Sequence, residues 1–210
     1  MSDKTPALLI LDCDGVLIRS ELANLAYYNQ LLTHFGHAQI KRDDRDKVQL
    51  FHTLSTPQVI ERFFTVKERS AVLNYAERLE YSNFTGMLTV EPGWTEALPR
   101  LAGRMKVCVA TNRGESVHGL LKSFGLHDWM EKIFTINDVA RPKPAPDLLS
   151  AALAHFDVAA SAAVYVGDSA LDHGAATAAG VPFIGYRYLE CDSWVSGVSE
   201  LERLLLPKAA

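Results

Sequence analysis

Four short segments carry the residues whose types and spacing could do chemistry. The first is Asp12-Cys13-Asp14-Gly15-Val16-Leu17, which follows the apolar run Ala7–Leu11. Side chains two apart in an extended segment project the same way, so Asp12 and Asp14 form a pair, and Gly15 lets the chain turn away directly after them. Such a pair makes either a divalent-cation site or a nucleophile with its acid/base partner. The second segment, Thr111-Asn112-Arg113-Gly114, follows the apolar run Met105–Ala110. Its hydroxyl and loop N–H groups suit an anion, and the same residues also make a plain helix cap and turn. The third is Arg141-Pro-Lys-Pro-Ala-Pro-Asp147, where prolines stiffen the loop around Lys143. That lysine is a point charge for a phosphate or for clustered carboxylates, a solvated loop lysine being the plainer alternative. The fourth, Val166-Gly-Asp-Ser-Ala-Leu-Asp172, sets Asp168 at the end of an apolar run and Asp172 one helical turn later. Asp168 also suits a helix N-cap. Four carboxylates brought together repel one another unless a cation neutralises them. Oxygen donors without a Cys or His cluster suit Mg2+.

The elements that must position these residues follow from hydropathy. Ala7–Leu11, Met105–Ala110, Ile133–Ile136, Ala162–Val166 and Pro182–Tyr186 are apolar almost without interruption, which marks strands covered on both faces, as in a parallel sheet. Helical patterns at 94–102, 115–124, 146–156 and 170–179 alternate with them, so the fold class is α/β, a Rossmann-like parallel sheet core. Residues 19–90 break the rhythm, with helical stretches near 20–35, 43–51, 57–65 and 67–82 and no convincing strand. Pro57 suits position N1 of a helix that follows Thr56. The stretch reads as a small all-α cap domain inserted after the first strand, at 19–86, with 1–18 and 87–210 forming the core. Glu91-Pro-Gly-Trp94 marks the exit.

Composition excludes several functions. The 210 residues are 48% hydrophobic and 22% charged, which is globular rather than disordered. A net charge of −4 gives no electrostatic footprint for nucleic acid or for an anionic membrane. Three scattered cysteines form no disulfide framework, which fits a reducing cytoplasm. No apolar stretch approaches the ~18–20 residues of a membrane span, and the N-terminus lacks the basic region of a secretion signal.

All four segments stand at strand ends, in one order, and together the chain resembles the haloacid dehalogenase-like hydrolases. The resemblance is to the helical-cap subfamily near phosphoglycolate phosphatase and β-phosphoglucomutase, and it covers nearly the whole chain. It implies a phosphatase that hydrolyses a small phosphorylated metabolite through an aspartyl-phosphate. Asp12 would be the nucleophile and Asp14 the acid and base. Thr111, Lys143 and the Asn112 backbone would bind the phosphoryl oxygens. Asp12, the Asp14 carbonyl and Asp168 would hold Mg2+, with Asp172 behind them on metal-bound water or on Lys143. Relatives that cleave carbon–halogen bonds look different at position 14. Cys13 stands where the family has a bulky apolar residue, and strand alternation turns it into the core. A phosphomutase using the same aspartates, and a non-catalytic phospho-ligand-binding protein on the same fold, are the alternatives. Asp12 on the first strand argues against a receiver domain, whose acceptor aspartate lies on a middle strand. The loop Phe51–Pro57 is expected to select substrate through His52 and Thr53, with Arg19, Arg62 and Arg113 as the next candidates; His173 is read as packing. The partner is the metabolite, with no nucleic acid or membrane, and the chain is expected as a monomer or homodimer.

Overall fold

Runs such as Leu8–Leu11 and Ala163–Gly167 can bury every side chain only inside a sheet covered on both faces, and the computed structural model, which describes residues 5–206 (backbone only at Ser82), places them there. The N-terminal residues 1–4, read above for a leader, lie outside the described residues. In chain order the first half comprises β1 (Leu8–Leu11), β2 (Ile18–Arg19), α1 (Glu21–His34), α2 (Arg45–Thr53), α3 (Thr56–Phe63), α4 (Arg69–Arg78) and β3 (Thr89–Val90). Then follow α5 (Trp94–Ala102), β4 (Lys106–Ala110), α6 (Ser116–Ser123), β5 (Lys132–Phe134) and α7 (Asp147–Phe156). The chain closes with β6 (Ala163–Gly167), α8 (Ala170–Ala179), β7 (Phe183–Tyr186), β8 (Trp194–Val195) and α9 (Val198–Leu205). It divides into two compact units, Met1–Leu17 with Val90–Ala210, and Ile18–Thr89.

The first unit is a six-stranded sheet in the order β5-β4-β1-β6-β7-β8, every pairing parallel. Central β1 lies between β4 and β6, with Leu8 opposite Lys106 and Ala163. Alternate residues Leu8, Ile10, Cys108, Ala110, Ala163 and Tyr165 share one face and pack under α7 and α8 through Leu148, Leu149, Ala152, Ala175 and Ala176. Because strand order reverses about β1, the C-terminal ends of β1, β4 and β6 open onto one crevice, where an α/β sheet binds ligands.

The second unit is helical. Its helices are started by local chemistry: Asp44 accepts from the Lys47 N–H, and Gln58 Oε1 accepts the Ser55 N–H at 2.9 Å. Tyr27, Tyr28, Phe51, Phe63, Tyr81 and Phe84 meet as an aromatic core, with centroids 4.8–6.1 Å apart along the chain of contacts.

Several expectations are corrected. The strand expected at 133–136 ends at Phe134, because Thr135 caps a 3-10 turn: its hydroxyl accepts the Asn137 N–H and its own N–H donates to Asp138. Ser55, not Thr56, caps α3, so Pro57 is the second helical residue. The stretch expected at 67–82 is α4 followed by a 3-10 turn, Tyr81–Met87. Residues 19–90 do contain strand, the two-residue pair β2 and β3. Neither β8 nor α9 was anticipated, although Val198, Leu201 and Leu205 have helical spacing and are buried.

Candidate active site

The loop leaving β1 is fixed from below. Asp12 donates its N–H to the Val166 carbonyl of the neighbouring strand at 2.9 Å. Gly15 has φ 79°, a left-handed turn open to glycine, and the Trp94 indole donates to the Val16 carbonyl at 2.6 Å. Cys13 is fully buried, as alternation requires, and burial pushes its thiol far up. Asp12 is buried, and its Oδ1 forms an ion pair with the Lys143 ammonium at 2.9 Å. Apart from that ion pair, Oδ1 has no hydrogen-bond partner among the described residues. Asp14 is held on both oxygens by Arg113, whose Nε and Nη2 donate at 2.9 and 2.6 Å.

Lys143 sits at the centre and is 3% exposed. Its ammonium donates to Asp172 Oδ1 at 2.6 Å and to the Tyr165 hydroxyl at 2.9 Å. That leaves the third proton for the Asp12 side. The Asn112 amide positions the lysine's backbone, accepting the Lys143 N–H at 2.9 Å and donating to its carbonyl at 3.3 Å. Thr111 is buried, and its Oγ1 accepts the Arg113 N–H at 3.1 Å. Asp172 is fully buried: Tyr165 donates to Oδ1 at 2.6 Å, while the Ser169 N–H and hydroxyl serve Oδ2. Gly167 is required beneath it, since a Cβ there would lie 2.3 Å from that of Asp172.

Burial sets the electrostatics. It pushes the Asp12 carboxyl up to about 8, against the pull of Lys143, with Asp172 and Asp168 adding to the rise. Burial alone would discharge Lys143, but Asp12 and Asp172 outweigh it and hold the ammonium charged. Burial likewise opposes ionisation of Asp172, and Lys143 outweighs it, so that carboxyl lies below its ordinary value. Oxygens of Asp12, Asp168 and Asp172 lie within 4.8 Å of one another. With all four carboxyls ionised, they would exceed the charges of Lys143 and Arg113 by two, which one divalent cation would neutralise. The Asp12 oxygen, whose one partner is the Lys143 ammonium, and the all-oxygen donor set fit Mg2+.

The structure therefore brings together Asp12, Asp14, Thr111, Asn112, Lys143, Asp168 and Asp172 at the ends of β1, β4 and β6. His52 and Thr53 belong to the other unit, and they end α2 rather than lie in a loop. The Thr53 hydroxyl is engaged by the Gln49 carbonyl at 3.0 Å, and His52 Nδ1 is 3.4 Å from Ser20 Oγ. His173 stacks on Phe183 with centroids 5.0 Å apart. Tyr165 and Ser169 were missed; a hydroxyl inside an otherwise apolar central strand needs a partner, and that was the available signal for Tyr165.

Aspartates and one buried lysine at the switch of a parallel sheet form a site whose charges suit a phosphoryl group. A family model described as haloacid dehalogenase-like hydrolase matches residues 9–186. The pyrophosphatase PpaX of Bacillus velezensis is 26% identical over 88% of this chain and 85% of its own. A plasmid-encoded phosphoglycolate phosphatase of Cupriavidus necator is 27% identical over 95% and 93%. The crystal structure of a subfamily IA hydrolase from Geobacter sulfurreducens aligns with a TM-score of 0.76 and 32% identity, covering 98% of this chain and 100% of that one. The chain belongs to the haloacid dehalogenase-like hydrolases, and it is a phosphatase of that family, a hydrolase of phosphoric monoesters.

Proposed function

We propose that the enzyme is Mg2+-dependent and hydrolyses a small phosphorylated metabolite through an aspartyl-phosphate on Asp12. The observation that carries the reading is the buried Asp12 Oδ1, ion-paired with the Lys143 ammonium at 2.9 Å and otherwise without a hydrogen-bond partner. Mg2+ would be held by Asp12, Asp168 and the Asp14 carbonyl, where it supplies neutralising charge to the phosphoryl group. Asp172, whose oxygens are engaged by Lys143, Tyr165 and Ser169, acts as the anchor of the lysine.

An Asp12 oxygen forms a bond to phosphorus as the bond from phosphorus to the leaving oxygen breaks, and Asp14 gives that oxygen a proton. Asp14 then takes a proton from a water as its oxygen bonds to phosphorus and the Asp12–phosphorus bond breaks, which restores both carboxyls. Thr111, the Asn112 N–H and Lys143 hold the non-reacting oxygens. The helical unit, 18–89, is read as the cap that selects substrate, with His52 and Thr53 as its candidates. A cytoplasmic location, with the metabolite as partner and a monomer or homodimer as the assembly, completes the reading. The names of the relatives, a pyrophosphatase and a phosphoglycolate phosphatase, support small phosphate compounds as substrates.

The test is a panel of phosphorylated metabolites with Mg2+, ranked by kcat/KM. Release of free phosphate from a subset supports the reading. Conversion to phosphorylated isomers without free phosphate would make the enzyme a mutase, and no reaction with any ester would overturn both.

A further inference from the structure

Asp14 is assigned above to give a proton to the leaving oxygen, yet both of its oxygens are engaged by one guanidinium, at 2.9 and 2.6 Å. The two side chains are 13% and 8% exposed, so the pair is largely shielded from water. Arg113 is fixed at its base: its N–H donates to Thr111 Oγ1 at 3.1 Å and its carbonyl accepts from Ile136 at 3.4 Å. The guanidinium can therefore change partner only by a movement of its own side chain. A planar, bidentate donor that leaves one carboxylate in a shielded place needs another flat or tetrahedral anion in exchange.

We propose that Arg113 selects the leaving group: it exchanges the Asp14 carboxylate for an anionic group on the leaving alcohol or acid, and so favours substrates that bring a second negative charge. An Asp14 oxygen is thereby released, takes a proton from solvent once the guanidinium has moved away, and faces the leaving oxygen as the acid. A neutral leaving group offers Arg113 nothing in exchange and leaves the pair closed. Asp12 and Asp14 are two residues apart, at most about 7 Å along the backbone, so the second anion stands only a few bonds from the scissile oxygen. The class is thus a small phosphate ester or anhydride whose leaving group carries a carboxylate or phosphate. This inference rests on the phosphatase reading above and deepens it.

The experiment measures kcat/KM with saturating Mg2+ for the phosphate ester of glycolic acid, for 2-hydroxyethyl phosphate, which replaces the carboxylate by an alcohol, and for inorganic pyrophosphate. Wild type, Arg113→Gln and Arg113→Lys are compared, with p-nitrophenyl phosphate as the probe of hydrolysis itself. Wild type should favour at least one anionic leaving group over 2-hydroxyethyl phosphate by about 100-fold, within the range seen when one partner of a buried hydrogen-bonded charge pair is removed. Which anionic compound is favoured tells carboxylate from phosphate. Arg113→Gln should bring the ratio close to one, and Arg113→Lys, which keeps the charge without the fork, should fall between. Equal losses on all substrates, or a wild type that hydrolyses p-nitrophenyl phosphate without preferring either anionic compound, would overturn the inference alone. A wild type that hydrolyses none of the four compounds would overturn the phosphatase reading and the inference with it.

Discussion

Replacing Lys143 by methionine keeps most of the side-chain volume and removes the one ammonium that joins Asp12 to Asp172. Both carboxyls are buried, and removing one partner of a buried ion pair costs about 3–5 kcal/mol, because the remaining charge is left without compensation. Two features of this site place the cost at the lower end. Burial already raises Asp12 to about 8, so it can take up a proton and relieve its own share. Asp172 retains its bonds from Tyr165 and Ser169. We therefore expect a loss of about 3 kcal/mol in the metal-free protein, which for a chain of this size lowers Tm by roughly 6–12 °C. Tryptophan fluorescence suits the measurement, since Trp94, Trp129 and Trp194 all lie in the unit that carries the site. Urea and thermal unfolding would be followed in EDTA and again with Mg2+, which should recover more stability in the variant than in wild type. A variant as stable as wild type in EDTA would refute Lys143 as the counter-ion of this cluster.

Other outcomes follow from the same geometry. Activity should vanish in EDTA and return with Mg2+, while Ca2+, with its larger and less regular shell, should inhibit; full turnover in excess EDTA would contradict the metal assignment. Asp12→Asn should lower kcat by several orders of magnitude with the fold intact, and Asp14→Asn should also be severe, as steady-state kinetics on samples checked by mass spectrometry for deamidation will show. His52→Ala should change the ratio of kcat/KM between good and poor metabolites more than it changes hydrolysis of p-nitrophenyl phosphate; equal losses everywhere would remove this position from substrate selection.

Legibility differed with the physics of each element. Buried parallel strands need continuous apolar runs, so β1, β4 and β6 stand out in the sequence, and the chemical residues are legible because each lies just past such a run. The two-residue strands β2, β3 and β8 carry no periodicity and were invisible. The helix α9 carries a readable stripe, Val198, Leu201 and Leu205, but at eight residues it is too short for the period to stand out. Within the site, residue types and strand ends were predictable, but pairings were not. That Asn112 ties its amide to the Lys143 backbone, that Tyr165 joins Lys143 to Asp172, and that Arg113 occupies Asp14 all depend on loop paths that spacing does not encode. The loop expected around His52 failed because α2 runs on to Thr53 and α3 begins at Thr56, leaving two residues between them.

The most direct test is to trap the covalent intermediate. Borohydride reduces an acyl phosphate to the alcohol, so an aspartyl-phosphate is converted to homoserine at the residue that attacked phosphorus. Enzyme quenched with borohydride during turnover with Mg2+ and substrate would be digested, and the peptides sequenced by mass spectrometry. The account predicts homoserine at position 12, absent without substrate. Homoserine at Asp14, Asp168 or Asp172, with Asp12 unmodified, would contradict it.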